Sequence, residues 1–280
     1  MMRDKPIVLV AVLVKQKGAL LHYWLESLSD WDYPKNRMII YIRENNSSDD
    51  SEEILKSWAD ANRAQYLKII EDYSDLDVPV ENWGIHQWNE TRFAALGRIR
   101  EASVKAALNN DADFYFVSDV DNFLLPLTLS KLVDNNLPIV APLLRYATSE
   151  GEEMWAPYSN YHHEIDDHGY LQVDAAYHRV LNQEVKGFIE CPVVHCTYLI
   201  RRDVLPFMKY VQDNQKTDRH EYVTFSNNCR DLKIPQYLDN EMVYGCLTLS
   251  ENLEAVKKWM TVLSESEGTN GLTWQQNLLS

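Results

Sequence analysis

Glycine and proline are scarce in this chain, nine and ten among 280 residues, and no low-complexity tract occurs. That argues against disorder and against a flexible linker. Cysteine is scarce too. Cys191, Cys196, Cys229 and Cys246 form no C-x-x-C pair, so nothing points to structural zinc, while free thiols and one or two bridges both stay open. Basic residues are in deficit, 27 Lys plus Arg against 42 Asp plus Glu, for a net charge of −15. This disfavours a nucleic-acid-binding surface; such acidity suits a cationic or neutral partner and equally serves solubility. No apolar run is long enough to span a membrane. Residues 7–14 form an apolar octet after Met-Met-Arg-Asp-Lys-Pro, superficially like a signal-peptide core. The octet lacks a small-residue cleavage site and runs straight into Lys15, Gln16 and Lys17, so it reads as a first buried strand. The final residues, Gln276 to Ser280, carry no retention signal.

What is present suffices for a sizeable core: 45% hydrophobic residues and eight Trp. Strand-like and helix-like runs alternate. Strands are expected over 7–14, 38–42, 66–70, 114–117 and 137–143, and helices over 19–28, 52–61 and 93–108. The β-α-β-α order predicts an α/β fold with a largely parallel sheet. Between about 145 and 190 the periodicity breaks in a segment rich in Tyr, His, Asp and Glu, which reads as a substrate-facing insertion. Residues 192–200 are again strand-like, 226–233 resemble a helix end, 236–238 and 243–247 short strands, and 253–263 a C-terminal helix.

Residues 114–117, Phe-Tyr-Phe-Val, make the most strand-like segment in the middle of the chain. Asp119-Val120-Asp121 emerges at its C-terminal end, before Asn122-Phe123-Leu124-Leu125-Pro126. In an open α/β sheet that edge is where ligands sit. Alternate residues of an extended segment point the same way, so both carboxylates can face one hard cation. Mg²⁺ or Mn²⁺ held so commonly bridges to substrate phosphates; a cap or turn is the competing reading. Asp111-Ala112-Asp113 has the same spacing but closes a helix, and reads as a solvated turn. Arg92 and Arg100, eight residues apart with Arg98 between, share a helix face where planar guanidinium forks would suit paired oxygens; a solvated face is the alternative. His195 follows an apolar strand, a setting more typical of a satisfied core histidine than of a catalyst. Asn45, Asn46 and Asn89 open glycosylation sequons, which matter only in a secreted chain.

Several further strings carry a resemblance: Asp32-Tyr33-Pro34-Lys35-Asn36-Arg37-Met38, Trp88-Asn89-Glu90-Thr91-Arg92-Phe93-Ala94, Val140-Ala141-Pro142, Tyr158-Ser159-Asn160 and Val194-His195-Cys196-Thr197-Tyr198-Leu199-Ile200. With the Asp-x-Asp string, their order and spacing resemble the N-terminal GT-A glycosyltransferase domain of the procollagen galactosyltransferase family. That family includes a relative named as a cerebral endothelial cell adhesion molecule, and it is more loosely similar to the glycosyltransferase domain of the multifunctional lysyl hydroxylases. The resemblance covers roughly residues 5–250. It implies a GT-A fold, with 1–280 as a single domain: a nucleotide-binding half over about 5–125, an acceptor-side half over about 126–250 and a C-terminal helix over about 251–265.

The resemblance also implies a chemistry: a UDP-galactose or UDP-glucose donor, Mn²⁺ (or Mg²⁺), collagen hydroxylysine or galactosyl-hydroxylysine as acceptor, and work in the endoplasmic reticulum lumen. Asp121 would then ligate the metal, with Asp119 sharing it or holding the ribose. Val12, Leu13 and Val14 would line the uracil unless they are plain core. Glu44, Asn45 and Asn46 would reach base or ribose, and Arg92 or Arg100 the diphosphate or donor sugar. Asn160, with Tyr158, Ser159, His195 and Thr197, would surround the donor sugar or acceptor. Inverting transfer needs a base for the acceptor hydroxyl; the family's acidic pair aligns with His220-Glu221 here, which makes Glu221 the candidate. A retaining reaction needs no dedicated base. A late metal-binding histidine of the family is replaced by Met242-Val243, with Asp239, Glu241 or His220 as substitutes. A GT-A enzyme with another glycan acceptor, or a catalytically degenerate collagen- or cell-surface-binding domain, are the alternatives.

Overall fold

The computed structural model describes residues 5–77, 88–147, 158–212, 218–249 and 251–266. Its strands are β1 (Val8–Val14), β2 (Met38–Glu44), β3 (Lys68–Asp72), β4 (Phe114–Ser118), β5 (Asn122–Leu124), β6 (Ile139–Pro142), β7 (Leu144–Tyr146), β8 (Tyr161–His162), β9 (Glu164–Ile165), β10 (Leu171–Gln172), β11 (Phe188–Glu190), β12 (Val193–Val194), β13 (Thr197–Arg201), β14 (Tyr237–Asp239) and β15 (Gly245–Leu247). The helices are α1 (Gly18–Asp30), α2 (Ser51–Asn62), α3 (Glu90–Asn109), α4 (Thr128–Asn135), α5 (Ala175–Leu181), α6 (Glu221–Asp231) and α7 (Leu253–Ser266).

Eight strands form the central sheet in the order β11-β14-β6-β13-β4-β1-β2-β3. β4, β1, β2 and β3 run parallel, as do β14 and β6, while β13 is antiparallel to both its neighbours and β11 to β14. β1 lies between β2 and β4, and every residue from Val8 to Val12 is buried. A strand covered on both faces shows a continuous apolar run rather than alternation, which is why the octet of residues 7–14 is legible as a strand. A second sheet, β5-β15-β7, extends the molecule beyond the Asp-x-Asp turn.

Helix α3 carries one wall of the site. Asn89 caps it by accepting from the Arg92 amide at 2.9 Å, satisfying one of the donors that a helix start leaves open. Gly97 lets α3 close on its neighbour, since a Cβ there would stand 2.6 Å from the Tyr210 carbonyl oxygen. No helix among the described residues is long and apolar enough to cross a membrane.

Two sequence expectations need correction. The segment 192–200 is two strands, β12 and β13, broken at Cys196, whose φ is +63°. Apolar content alone does not reveal a left-handed residue. The 145–190 stretch is not irregular throughout. It holds β8 to β11 and α5, with Asp174 capping α5 through the Tyr177 amide at 2.7 Å; two-residue strands are too short to show a period. Residues 148–157 of that stretch lie outside the described residues.

Candidate active site

A cavity of about 470 Å³ opens beyond the carboxyl ends of β1, β2 and β4. This is the place expected for a ligand in an open α/β sheet, where the strand order reverses about β1. Leu13 and Val14 reach it from the end of β1, Lys15 and Lys17 from the turn after it, Asn45 from the exit of β2, and Asp119 to Asn122 from the turn after β4. Arg92 and Arg100 descend from α3, Tyr158 comes from the segment before β8 and His195 from the link between β12 and β13, and His220, Glu221 and Tyr222 stand at the start of α6.

Buried charge organises the floor. The Arg100 Nη2 donates to Asp119 Oδ1 at 2.7 Å and stands 3.9 Å from Glu221 Oε1. Burial disfavours its charge, but Asp119 first, then Tyr198 and Glu221, hold its pKa well above the ordinary value. Asp121 is shifted up, chiefly by burial, with Lys17 pulling the other way and the Asp119 charge adding to the rise. Burial also raises Glu221, against the pull of Arg100. Burial drives His195 well below its usual range, with His162, His220 and Arg100 adding to the effect, so its imidazole is neutral at physiological pH.

Several polar atoms here lack partners. Arg100 Nε and Nη1, Glu221 Oε2 and His195 Nε2 are all buried without a hydrogen bond. Buried groups of this kind ordinarily find a partner, so their convergence on one cavity marks a place built to receive polar ligand atoms. An aromatic wall adjoins them: His220 lies 4.4 Å from Phe93, 4.7 Å from Trp88 and 5.2 Å from Tyr222 between ring centroids. Arg92 stacks over Trp88 at 4.2 Å.

The model of glycosyltransferase family 25, N-terminal domain, matches residues 5–262. The chain belongs to this family. A glycosyltransferase 25 family member from Anopheles gambiae is 32% identical over 249 residues, covering 86% of this chain and 41% of that protein. Procollagen galactosyltransferase 2 of Homo sapiens is 31% identical over 268 residues, covering 90% and 41%. The chain thus spans about two fifths of the length of these curated relatives. Among solved structures, GalNAc-T7 with UDP, GalNAc and Mn²⁺ superposes with a TM-score of 0.59 at 11% identity, over 88% of this chain and 44% of that one. S. aureus TarS 1-349 in complex with UDP-GlcNAc gives 0.53 at 14% identity, over 86% and 58%. The fold of this family 25 domain is GT-A.

Within this GT-A frame the residues singled out from sequence divide. Asp119, Asp121, Arg92, Arg100, His195, Glu221, Val14 and Asn45 all line the cavity. Val12 does not; it is fully buried within β1, and the cavity begins only at the end of that strand, with Leu13 and Val14. Glu44 turns away to accept from the Ser47 amide at 3.0 Å. Asn46, with φ of +51°, is engaged by Asp75 and Leu76, so Asn45 alone of that trio reaches the cavity.

Asn160 lies outside the cavity lining and is buried among backbone partners. Its Oδ1 accepts from the Leu144 amide at 3.0 Å and its Nδ2 donates to the Pro142 carbonyl at 2.8 Å, which fastens β6 to β7. Thr197 is likewise occupied, by Asn122 at 2.7 Å. Asp239 accepts from Asn135 at 2.7 Å, and neither it nor Glu241 borders the cavity. Sequence reasoning passed over Lys17, Tyr222, Cys196 and Glu251. Lys17 lies three residues past the end of the first strand and was open to recognition there; Glu251 shows no local pattern. All four cysteines are free thiols.

Proposed function

We propose that this family 25 domain is a metal-dependent hexosyltransferase that uses a UDP-sugar to glycosylate collagen-type hydroxylysine. It would add galactose directly or glucose to galactosyl-hydroxylysine, with the whole chain working as one GT-A unit. The single observation that carries this reading is Asp119-Val120-Asp121 on the turn after β4, lining a cavity whose buried Arg100, Glu221 and His195 have unsatisfied polar atoms. The collagen acceptor and the galactose donor are supported by the names of the vertebrate relatives.

The donor set suits a hard divalent cation, since the groups reaching it are carboxylate oxygens. Asp121 and Asp119 would hold that cation, Mn²⁺ or Mg²⁺, which would supply Lewis-acid stabilisation of charge on the departing diphosphate. The chain's own residues do the rest. Arg100 fixes the Asp119 carboxylate by an ion pair at 2.7 Å. Leu13 and Val14 present an apolar surface to the uracil, and Asn45 a polar edge to base or ribose. Arg92, stacked on Trp88, offers a planar fork to phosphate or sugar oxygens. Glu221, whose carboxyl is pushed up by burial, is suited to accept a proton from the acceptor hydroxyl.

The test is UDP release from a panel of UDP-sugars, with and without Mn²⁺, on deglucosylated and fully deglycosylated collagen peptides. Turnover of UDP-galactose on bare hydroxylysine, or of UDP-glucose on galactosyl-hydroxylysine, is expected. The double variant Asp119→Ala, Asp121→Ala is expected to lose at least about a hundredfold in rate, the order seen for loss of one electrostatic stabiliser. Full transfer by that variant overturns the metal mechanism. UDP-sugar turnover without any collagen-peptide activity would point to another glycan acceptor. Absence of UDP binding with Mn²⁺ would point to a degenerate binding domain.

A further inference from the structure

Lys17 sits where β1 hands the chain to α1, its backbone amide donating to Ser51 Oγ at 3.0 Å. Its ammonium lies 3.2 Å from Asp121 Oδ2 and 2.9 Å from Glu251 Oε1. All three side chains are about three-quarters buried, at 22%, 24% and 25% exposed. Two carboxylates from distant parts of the chain thus converge on one cationic centre. Glu251 does so from a backbone φ of +54°, a conformation that costs a non-glycine residue on the order of 1–3 kcal/mol and clusters at functional sites. Asp119 faces a different cation, Arg100. Asp121 and Glu251 therefore share the Lys17 ammonium, as Asp119 and Glu221 share the Arg100 guanidinium.

We propose that Glu251 is a further ligand of the divalent cation held by Asp121, and that Lys17 is the ammonium this cation displaces. The inference rests on the metal-dependent reading of the same cavity. Asp239, Glu241 and Glu251 all lie outside the cavity lining, but Glu251 alone of the three meets the Lys17 ammonium that Asp121 also holds. An ammonium holds two carboxylate oxygens at hydrogen-bonding range. A divalent ion draws them closer and carries twice the charge. Lys17 keeps the two anions together without the ion and opposes its entry, so its removal and the removal of Glu251 should act in opposite directions.

Mn²⁺ binding to the purified chain, with UDP present, can be read from the electron paramagnetic resonance of free Mn²⁺, independently of turnover. Glu251→Gln is expected to weaken binding about tenfold or more, in line with the tenfold to hundredfold cost of losing a residue that supports a metal site. Lys17→Met is expected to tighten it severalfold. Glu251→Asp, which keeps the charge on a shorter arm, should fall between Gln and wild type and guards against a folding artefact, with far-UV circular dichroism checking each variant. Wild-type affinity in Glu251→Gln, with binding lost in Asp121→Asn, overturns the Glu251 assignment and leaves the metal-dependent reading standing. Weaker binding in Lys17→Met overturns the displacement. No Mn²⁺ binding by the wild type overturns both readings.

Discussion

At the scale of single residues, polar side chains in this protein do two different jobs that look alike in sequence. Asn160 and Asp119 both fall in strings that resemble family motifs, yet Asn160 is spent on the backbone of β6 and β7, while Asp119 lines the cavity. Asn160→Ala would leave the buried Leu144 amide and Pro142 carbonyl without these partners. Each such group costs about 1–3 kcal/mol, so urea unfolding should show a loss of that order, with Mn²⁺ affinity of the folded protein unchanged. A variant of wild-type stability would mean that these backbone groups find other partners.

Among the elements, α3 matters most to the site, because it delivers both Arg92 and Arg100. Its depth is set by Gly97 against the Tyr210 backbone. A carbonyl oxygen of the backbone cannot swing aside as a side chain end can. Gly97→Val is therefore expected to push α3 outward, at about 1–3 kcal/mol of overpacking. It should also weaken UDP-sugar turnover by loosening the Arg100–Asp119 pair. Unchanged thermal stability and unchanged turnover would refute that role. Helix α4 shows the limits of reading elements from sequence: Thr128–Asn135 is helical, but its eight residues are too few for a periodic signal to stand out.

For the molecule as a whole, buried histidines couple stability to pH. His162 is held down to about 4, chiefly by burial, with Arg230 adding to the fall while Asp166 and a Gly169 hydrogen bond oppose it. His220 is likewise lowered to about 4 by burial and Arg92. A depressed folded-state pKa means the unfolded chain binds the proton first. Stability from these residues is then full above about 6.5 and lost as pH falls toward 4. Each tenfold loss of proton affinity is worth about 1.4 kcal/mol, so the fall at His162 from 6.5 to about 4 contributes on the order of 3 kcal/mol to this dependence. Chemical denaturation at pH 7.5, 6 and 5 should show wild type losing more stability than His162→Phe across that range. Equal losses would exclude His162 as a source of the dependence.

The sequence by itself determined the elements with a strong internal signal. β1 and β4 are long apolar runs because both faces of a central strand are covered, and Asp119 and Asp121 are legible because they follow such a run directly. Arg92 and Arg100 could be paired from helical spacing alone. Only the tertiary structure decided which of Leu13, Val12 and Val14 reach the cavity, since burial in the core and burial at a site demand the same apolar residues. It alone moved Asn160 and Thr197 into the scaffold, broke 192–200 at Cys196, and brought Glu251 to Lys17 and Asp121. Those outcomes depend on contacts between residues far apart in the chain, and no local periodicity encodes which distant partner a side chain will meet.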